Sequence, residues 1–308
     1  MVNTSSKSIH FVYISMVIAT VFWAGAFIAG KMAAASFLPL TLTFLRFLFT
    51  LPIIFLLLKI KEPENLIPEK KQIPPLIVMG VIGTLAYHFF FFLALRYTTA
   101  INSSLIGATN PMVTTVLAVM FFKEKINPSR IIGIAISLFG VFCVLTNLDP
   151  EIISSMVFNI GDIYMSLAVI CFSTYMLLSR KYMVKYRISP FTATAYTFLI
   201  CTVFSGILSF GFENPLAAIL QAQPRVWLEI LYMSVFASVL GYYIQLNSIN
   251  VIGAPKTAMF INLVPVSTIL LAALILKEQV SLLKVFSALI IIGGVYLASR
   301  PEKGAQAN

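Results

Sequence analysis

The sequence predicts an all-α membrane protein of ten transmembrane helices, arranged as two inverted five-helix repeats around a central cavity. Three observations lead there. Of 308 residues, 59% are apolar and only 10% charged, against roughly 25% charged in a soluble domain. Residues 8–30, 72–95, 97–122, 188–212, 230–255 and 257–276 each run for at least 20 residues without Asp, Glu, Lys or Arg. About 20 helical residues rise about 30 Å, the thickness of the hydrocarbon core. Finally, a shift of 154 residues lays residues 80–145 on a second copy without a gap. It carries Pro111 onto Pro265, Lys123-Glu124 onto Lys277-Glu278, Gly140 onto Gly294 and Ala100 onto Ala254. Duplicated apolar halves, each interrupted by proline at the same place, are the pattern of a secondary transporter with its substrate site between the repeats.

The spans follow in order. The first, 11–31, has Lys7 before it and Ala33-Ala34-Ala35 after it, like a signal peptide. Its apolar stretch exceeds the usual core of about 7–15 residues, and it has a counterpart in the second half, so a mature helix is expected. The second, 40–58, carries one charge, Arg46. Spans at 74–95 and 99–122 hold none. The shorter uncharged cores of 129–147, 160–179 and 281–299 suffice when flanking side chains reach the headgroups. Spans at 189–212, 226–249 and 254–276 complete the ten. The alternating stretches of about ten residues that mark barrel strands are missing.

Five spans per half is an odd number, so the second half enters the membrane inverted. The expected units are a first repeat over 1–147, an external linker over 148–159, the second repeat over 160–300 and a short cytoplasmic tail over 301–308. Charge placement agrees. With the N-terminus inside, fifteen of the 21 Lys and Arg residues fall on the cytoplasmic side and five outside, with Arg46 buried. Basic residues concentrate in cytoplasmic loops, so both termini are expected inside. The net charge of +10 is thereby a topology device, and no nucleic-acid partner is expected. Cys143, Cys171 and Cys201 all lie in apolar spans and read as packing residues. Their spacing suggests no metal site.

Several short motifs occur in a telling order. Phe22-Trp23-Ala24-Gly25-Ala26-Phe27 is followed by Lys31, Arg46 stands in Phe44-Leu45-Arg46-Phe47, and Pro111 with Glu124 repeats as Pro265 with Glu278. In these features the chain resembles the EamA-type branch of the drug/metabolite transporter superfamily across nearly its whole length. That resemblance implies ten helices around a central cavity and export of small metabolites. The expected setting is the bacterial cytoplasmic (inner) membrane, with a small-molecule substrate, lipid as solvent, a monomer or homodimer, and no cofactor or metal.

Candidate binding residues come from helical spacing. Thr84, His88 and Phe91 share one face of the third span, and the repeat turns them into Ser238, Tyr242 and Gln245 on the eighth. Both faces are expected to look at the same cavity. Ser103, Gly107, Asn110 and Thr114 make a stripe on the fourth span, whose counterpart on the ninth is more apolar. Small and hydroxylic residues also let membrane helices pack closely, so two readings of this stripe stand. Pro111 and Pro265 break the backbone ladder one turn earlier. Asn110 and Asn262 lie beside these breaks, where freed backbone either lines a cavity and hinges the half-helices or shapes packing. Arg46 has no deep acidic partner in sequence. It either snorkels to external headgroups or captures a substrate carboxylate. His88 is either a satisfied hydrogen-bonding residue or a proton relay. Trp23 and Phe27, with Tyr242 and Tyr243, form either an aromatic wall or core packing. Glu124 and Glu278 are expected to cap or pair locally at the membrane surface.

The expected function is a secondary, ATP-independent transporter that exports small metabolites, such as amino acids or amphipathic drug-like compounds, by alternating access. An organic-phosphate or nucleotide-sugar exchanger is the alternative. Its substrates call for two or more cavity cations, for which Arg46 and Lys256 are the candidates. A membrane-embedded enzyme on lipid-linked substrates would need clustered His, Asp, Glu or Cys at depth, and the spans hold no such cluster. No enzymatic activity is expected.

Overall fold

The computed structural model describes residues 6–122, 128–155, 158–252, 260 and 263–298, and every regular element among them is helical. The first half comprises α1 (Ser6–Ala33), α2 (Pro39–Lys61), α3 (Lys70–Tyr97), α4 (Ala100–Gly107), α5 (Asn110–Phe122) and α6 (Pro128–Thr146). A short surface helix, α7 (Pro150–Ser155), leads to α8 (Ile160–Tyr186) and α9 (Pro190–Glu213). Then come the short α10 (Pro215–Gln221) and α11, built from Pro224–Tyr232 and Gly241–Ile252 around a π-helical stretch, Met233–Leu240. The chain closes with α12 (Val264–Leu276) and α13 (Leu282–Ala298).

Seven of these helical stretches are long and apolar enough to cross a membrane: α1, α2, α3, α4 with α5, α8, α9 and α11. Three more, α6, α12 and α13, are apolar but shorter among the described residues. Each of the three borders residues outside the description, namely 123–127, 261–262 and 299–308. Of the ten expected spans, seven thus correspond to helices of membrane-crossing length among the described residues. The outer surface is what a bilayer requires. Leu274 is 78% exposed and Leu289 64%, with Phe121, Phe139 and Leu228 likewise turned outward. Water-soluble monomers rarely expose contiguous apolar area beyond a few hundred Å².

The packing is pairwise. α6 lies along α13 and α2 along α9. α3 packs on α8 while α1 packs on α11, and α5 packs on α8 while α1 packs on α12. Glycine makes the α6–α13 seam possible. A Cβ on Gly140 would sit 2.7 Å from Ile291 Cγ1, and one on Gly294 only 2.5 Å from Ser137 N. Gly140 and its repeat counterpart Gly294 thus face each other's helices in a seam within one chain.

Both prolines of the repeat start helices rather than bend them. α4 ends at Gly107 and α5 begins at Asn110, so Pro111 is the second residue of a new helix. Pro265 occupies the first turn of α12. A missing N–H costs little there, because first-turn donors have no partner inside the helix. At the α4–α5 break the loose carbonyl of Ile106 accepts from Thr109 N at 3.0 Å and Thr109 Oγ1 at 2.6 Å.

Candidate functional site

A cavity of about 110 Å³ opens among α1, α2, α3, the α4–α5 break, α8, α11 and α12. Six of the sequence-predicted residues line it together: Trp23, Arg46, His88, Asn110, Tyr242 and Gln245. Pro265 lines it too, whereas Pro111 stands one residue beyond the lining Asn110. Asn262 lies outside the described residues, as do Glu124 and Lys256.

Ser103, near the start of α4, is fully buried and is not among the lining residues, whereas Ser104 and, further along the same helix, Gly107 line the wall. Tyr243 also departs from the expected wall: it is 39% exposed and meets Phe191 at a tilt, with ring centroids 6.0 Å apart.

α3 and α11 bring His88 and Tyr242 to the cavity through matching distortions. A π-helical stretch, Gly80–Ala86, precedes His88, and Met233–Leu240 precedes Tyr242. Single π-turns recur at functional sites because they re-aim side chains and loosen the carbonyl ladder. In α3 the Thr84 carbonyl meets His88 Nδ1 at 2.7 Å. A carbonyl can only accept, so Nδ1 carries the hydrogen and Nε2 is the acceptor of the neutral ring. In α11 the Ala237 carbonyl accepts from the Trp23 indole Nε1 at 3.1 Å. Gly241 permits that approach, since a Cβ there would lie 2.6 Å from Nε1.

Arg46 is 5% exposed, which rules out snorkelling to headgroups. Its Nε donates to Ser238 Oγ at 3.1 Å. Its guanidinium carbon lies 5.6 Å from the Phe47 ring centroid and 5.9 Å from that of Phe92. Among the described residues no carboxylate pairs with it. Aromatic rings complete the walls. Phe27 meets Phe91 edge-on at 5.0 Å, and Tyr87 lies 5.0 Å from Phe172. Asn110 is held by Ser173, whose hydroxyl donates to Asn110 Oδ1 at 2.9 Å.

Sequence reasoning did not single out Tyr87, Ser104, Met165 or Phe172, all of which line the cavity. Phe172 had a usable signal, because the segment Trp23 to Lys31 resembles Phe172 to Arg180 and Trp23 lines the same space. For Met165 no polar or periodic mark distinguishes a lining side chain from a packing one.

A polar layer stands at the end of the bundle where α1 and α3 finish and α4 and α8 begin. Lys31 Nζ donates to the carbonyls of Leu95 and Thr98, each at 2.7 Å. Thr98 Oγ1 donates to Asp162 at 2.5 Å. Glu278 accepts from the backbone N–H groups of Ala100 at 2.9 Å and Ile101 at 3.3 Å. Of the two expected roles, Glu278 takes that of a cap, on α4, a helix of the other half. Glu213 does the same for α2, accepting from Leu40 N at 2.9 Å and Thr41 N at 2.7 Å. A carboxylate at a helix N-terminus satisfies orphan donors and complements the helix dipole.

Comparison with known proteins adds to this geometry. Residues 10–146 and 159–300 each match the EamA-like transporter family. The "Uncharacterized transporter YyaM" of Bacillus subtilis (strain 168) is 30% identical over 288 residues, covering 94% of this chain and 93% of its own length. The "Probable amino-acid metabolite efflux pump" of Escherichia coli (strain K12) is 23% identical over 283 residues, covering 90% of this chain and 91% of its own. A protein known by its crystal structure shares the fold, with a TM-score of 0.63 at 18% identity, over 93% of this chain and 96% of that one.

Proposed function

The chain belongs to the EamA-like transporter family, and we propose that it exports small, amphipathic metabolites by alternating access through the cavity between its two halves. In this reading ten membrane helices form two inverted five-helix repeats, 1–147 and 160–300, joined by an external linker over 148–159. Both termini face the cytoplasm, and the setting is the bacterial inner membrane. The two separate matches to one family, over 10–146 and 159–300, support the duplication. So does the packing. Exchanging each span for its counterpart turns the α3–α8 pair into α11–α1 and the α5–α8 pair into α12–α1, while α6–α13 and α2–α9 map onto themselves. Such exchange symmetry gives two near-equivalent arrangements, one open to each side.

The single observation that carries the proposal is that cavity, lined by residues of both halves. It carries a cation, amides and aromatic rings in an otherwise apolar bundle, the composition of a site for a solute with one polar end. Export of amino-acid-like metabolites fits the name of the Escherichia coli relative. The test is flux into inverted vesicles from cells overproducing the chain. Asn110→Ala, His88→Ala and Tyr242→Ala are expected to lose transport while inserting normally. Unchanged flux in all three would overturn the assignment of the site. Equal flux with and without a pH gradient would eliminate obligatory proton coupling.

A further inference from the structure

The cavity holds a cation that the protein leaves without a counter-charge. Burying a lone charge costs several kcal/mol after relaxation, so an arginine at 5% exposure is normally met by a carboxylate. Here Ser238 Oγ occupies Nε, and the rings of Phe47 and Phe92 flank the guanidinium. The four N–H groups on the two terminal nitrogens have no hydrogen-bond acceptor among the described residues, and Arg46 itself lines the cavity. Two parallel N–H donors on a rigid plane match the two oxygens of a carboxylate.

We infer that the ligand of this cavity carries a single carboxylate, gripped by the terminal nitrogens of Arg46, with a compact apolar body against Trp23, Phe27, Tyr87 and Phe91. The inference rests on the transport reading above and names its substrate class. Three features narrow the class. Arg46 is the one Lys or Arg among the described lining residues, so a dianionic phosphate finds half the charge it needs. A net cation meets like charge with no carboxylate to offset it. Size sets the third limit: a cavity of about 150 Å³ accommodates benzene, so one of about 110 Å³ suits a body of one small ring or a short branched chain.

The test uses the full-length protein in nanodiscs and a series of acids, isovalerate, phenylacetate and 3-phenylpropionate, each against its own amide. 2-Phenylethylamine and phenyl phosphate serve as cation and dianion. Charge-assisted hydrogen bonds contribute about 1.5–3 kcal/mol, so at least one acid is expected to bind about tenfold or more tighter than its amide. In Arg46→Gln that preference falls to about one, and Arg46→Lys restores part of it. Three results would each overturn the inference: acid and amide binding alike, a preference that survives Arg46→Gln, or phenyl phosphate binding tighter than every acid. Failure of all the acids to bind saturably does the same. Flux in proteoliposomes separates the two proposals. An acid preference without flux removes transport and leaves the carboxylate subsite standing, whereas flux without acid preference removes the subsite alone.

Discussion

Lys31 is half-buried and Arg46 fully buried, and the protein answers the two cations differently. Lys31 lies in the polar layer, where two backbone carbonyls meet its ammonium at 2.7 Å each. Around it the acids are equally occupied, Asp162 by Thr98 and Glu278 by the start of α4. Arg46 lies at the cavity, where a neutral serine takes one of its five N–H groups. The polar layer pairs its charged groups with protein partners and ties helix ends of both halves together. The cavity wall is open in hydrogen-bonding terms, and that difference separates scaffold from binding site more clearly than burial does.

The comparison can be broken most forcefully at Arg46 itself. Arg46→Gln is expected to reduce flux about 100-fold, since a charge-assisted pair is worth up to about 3 kcal/mol, with membrane insertion unchanged by surface biotinylation or fractionation. Flux within twofold of the wild type would return Arg46 to the scaffold. Next in size is the seam remote from the cavity. Gly294→Val forces atoms into the 2.5 Å approach to Ser137 N, and overpacking of this kind costs about 1–3 kcal/mol. The thermal unfolding midpoint should fall, and a midpoint equal to wild type would show that α6 and α13 are not held this closely. Glu278→Gln keeps one acceptor but removes the charge on the α4 cap, at about 0.5–2 kcal/mol. It should lower the midpoint while preserving ligand affinity. Trp23→Phe is the smallest. It deletes the hydrogen bond to Ala237 and keeps the ring face, costing about 0.5–1.5 kcal/mol. Intrinsic fluorescence and unfolding together read that loss.

Much of this layout is legible in the residues because duplication supplies a second copy to compare. His88 and Tyr242 are placed on one cavity by the 154-residue shift, with Phe91 and Gln245 following one helical turn later. Phe172 was within reach of the same logic through Trp23. Ser103 was not, because small hydroxylic residues on a membrane helix serve close packing as readily as a cavity wall. The paired π-turns carry no residue signature either. They arise where α3 and α11 pack against several neighbours, and Gly80, Gly83 and Gly241 are their only local trace. For Glu278 the capping role is legible but the helix it caps is not. Its partners are the Ala100 and Ile101 amides, 178 and 177 residues away, and a spacing rule for local pairs does not reach that far.

Side-by-side unfolding of Lys31→Met and Arg46→Met in one detergent tests the distinction most directly. Lys31→Met strips the donor from two carbonyls, at about 1–3 kcal/mol for each group left buried, so its midpoint should drop by several degrees. Arg46→Met removes a buried charge that no protein carboxylate balances, so its midpoint should hold or rise. An Arg46→Met protein that melts as early as Lys31→Met would contradict the assignment of Arg46 to a ligand.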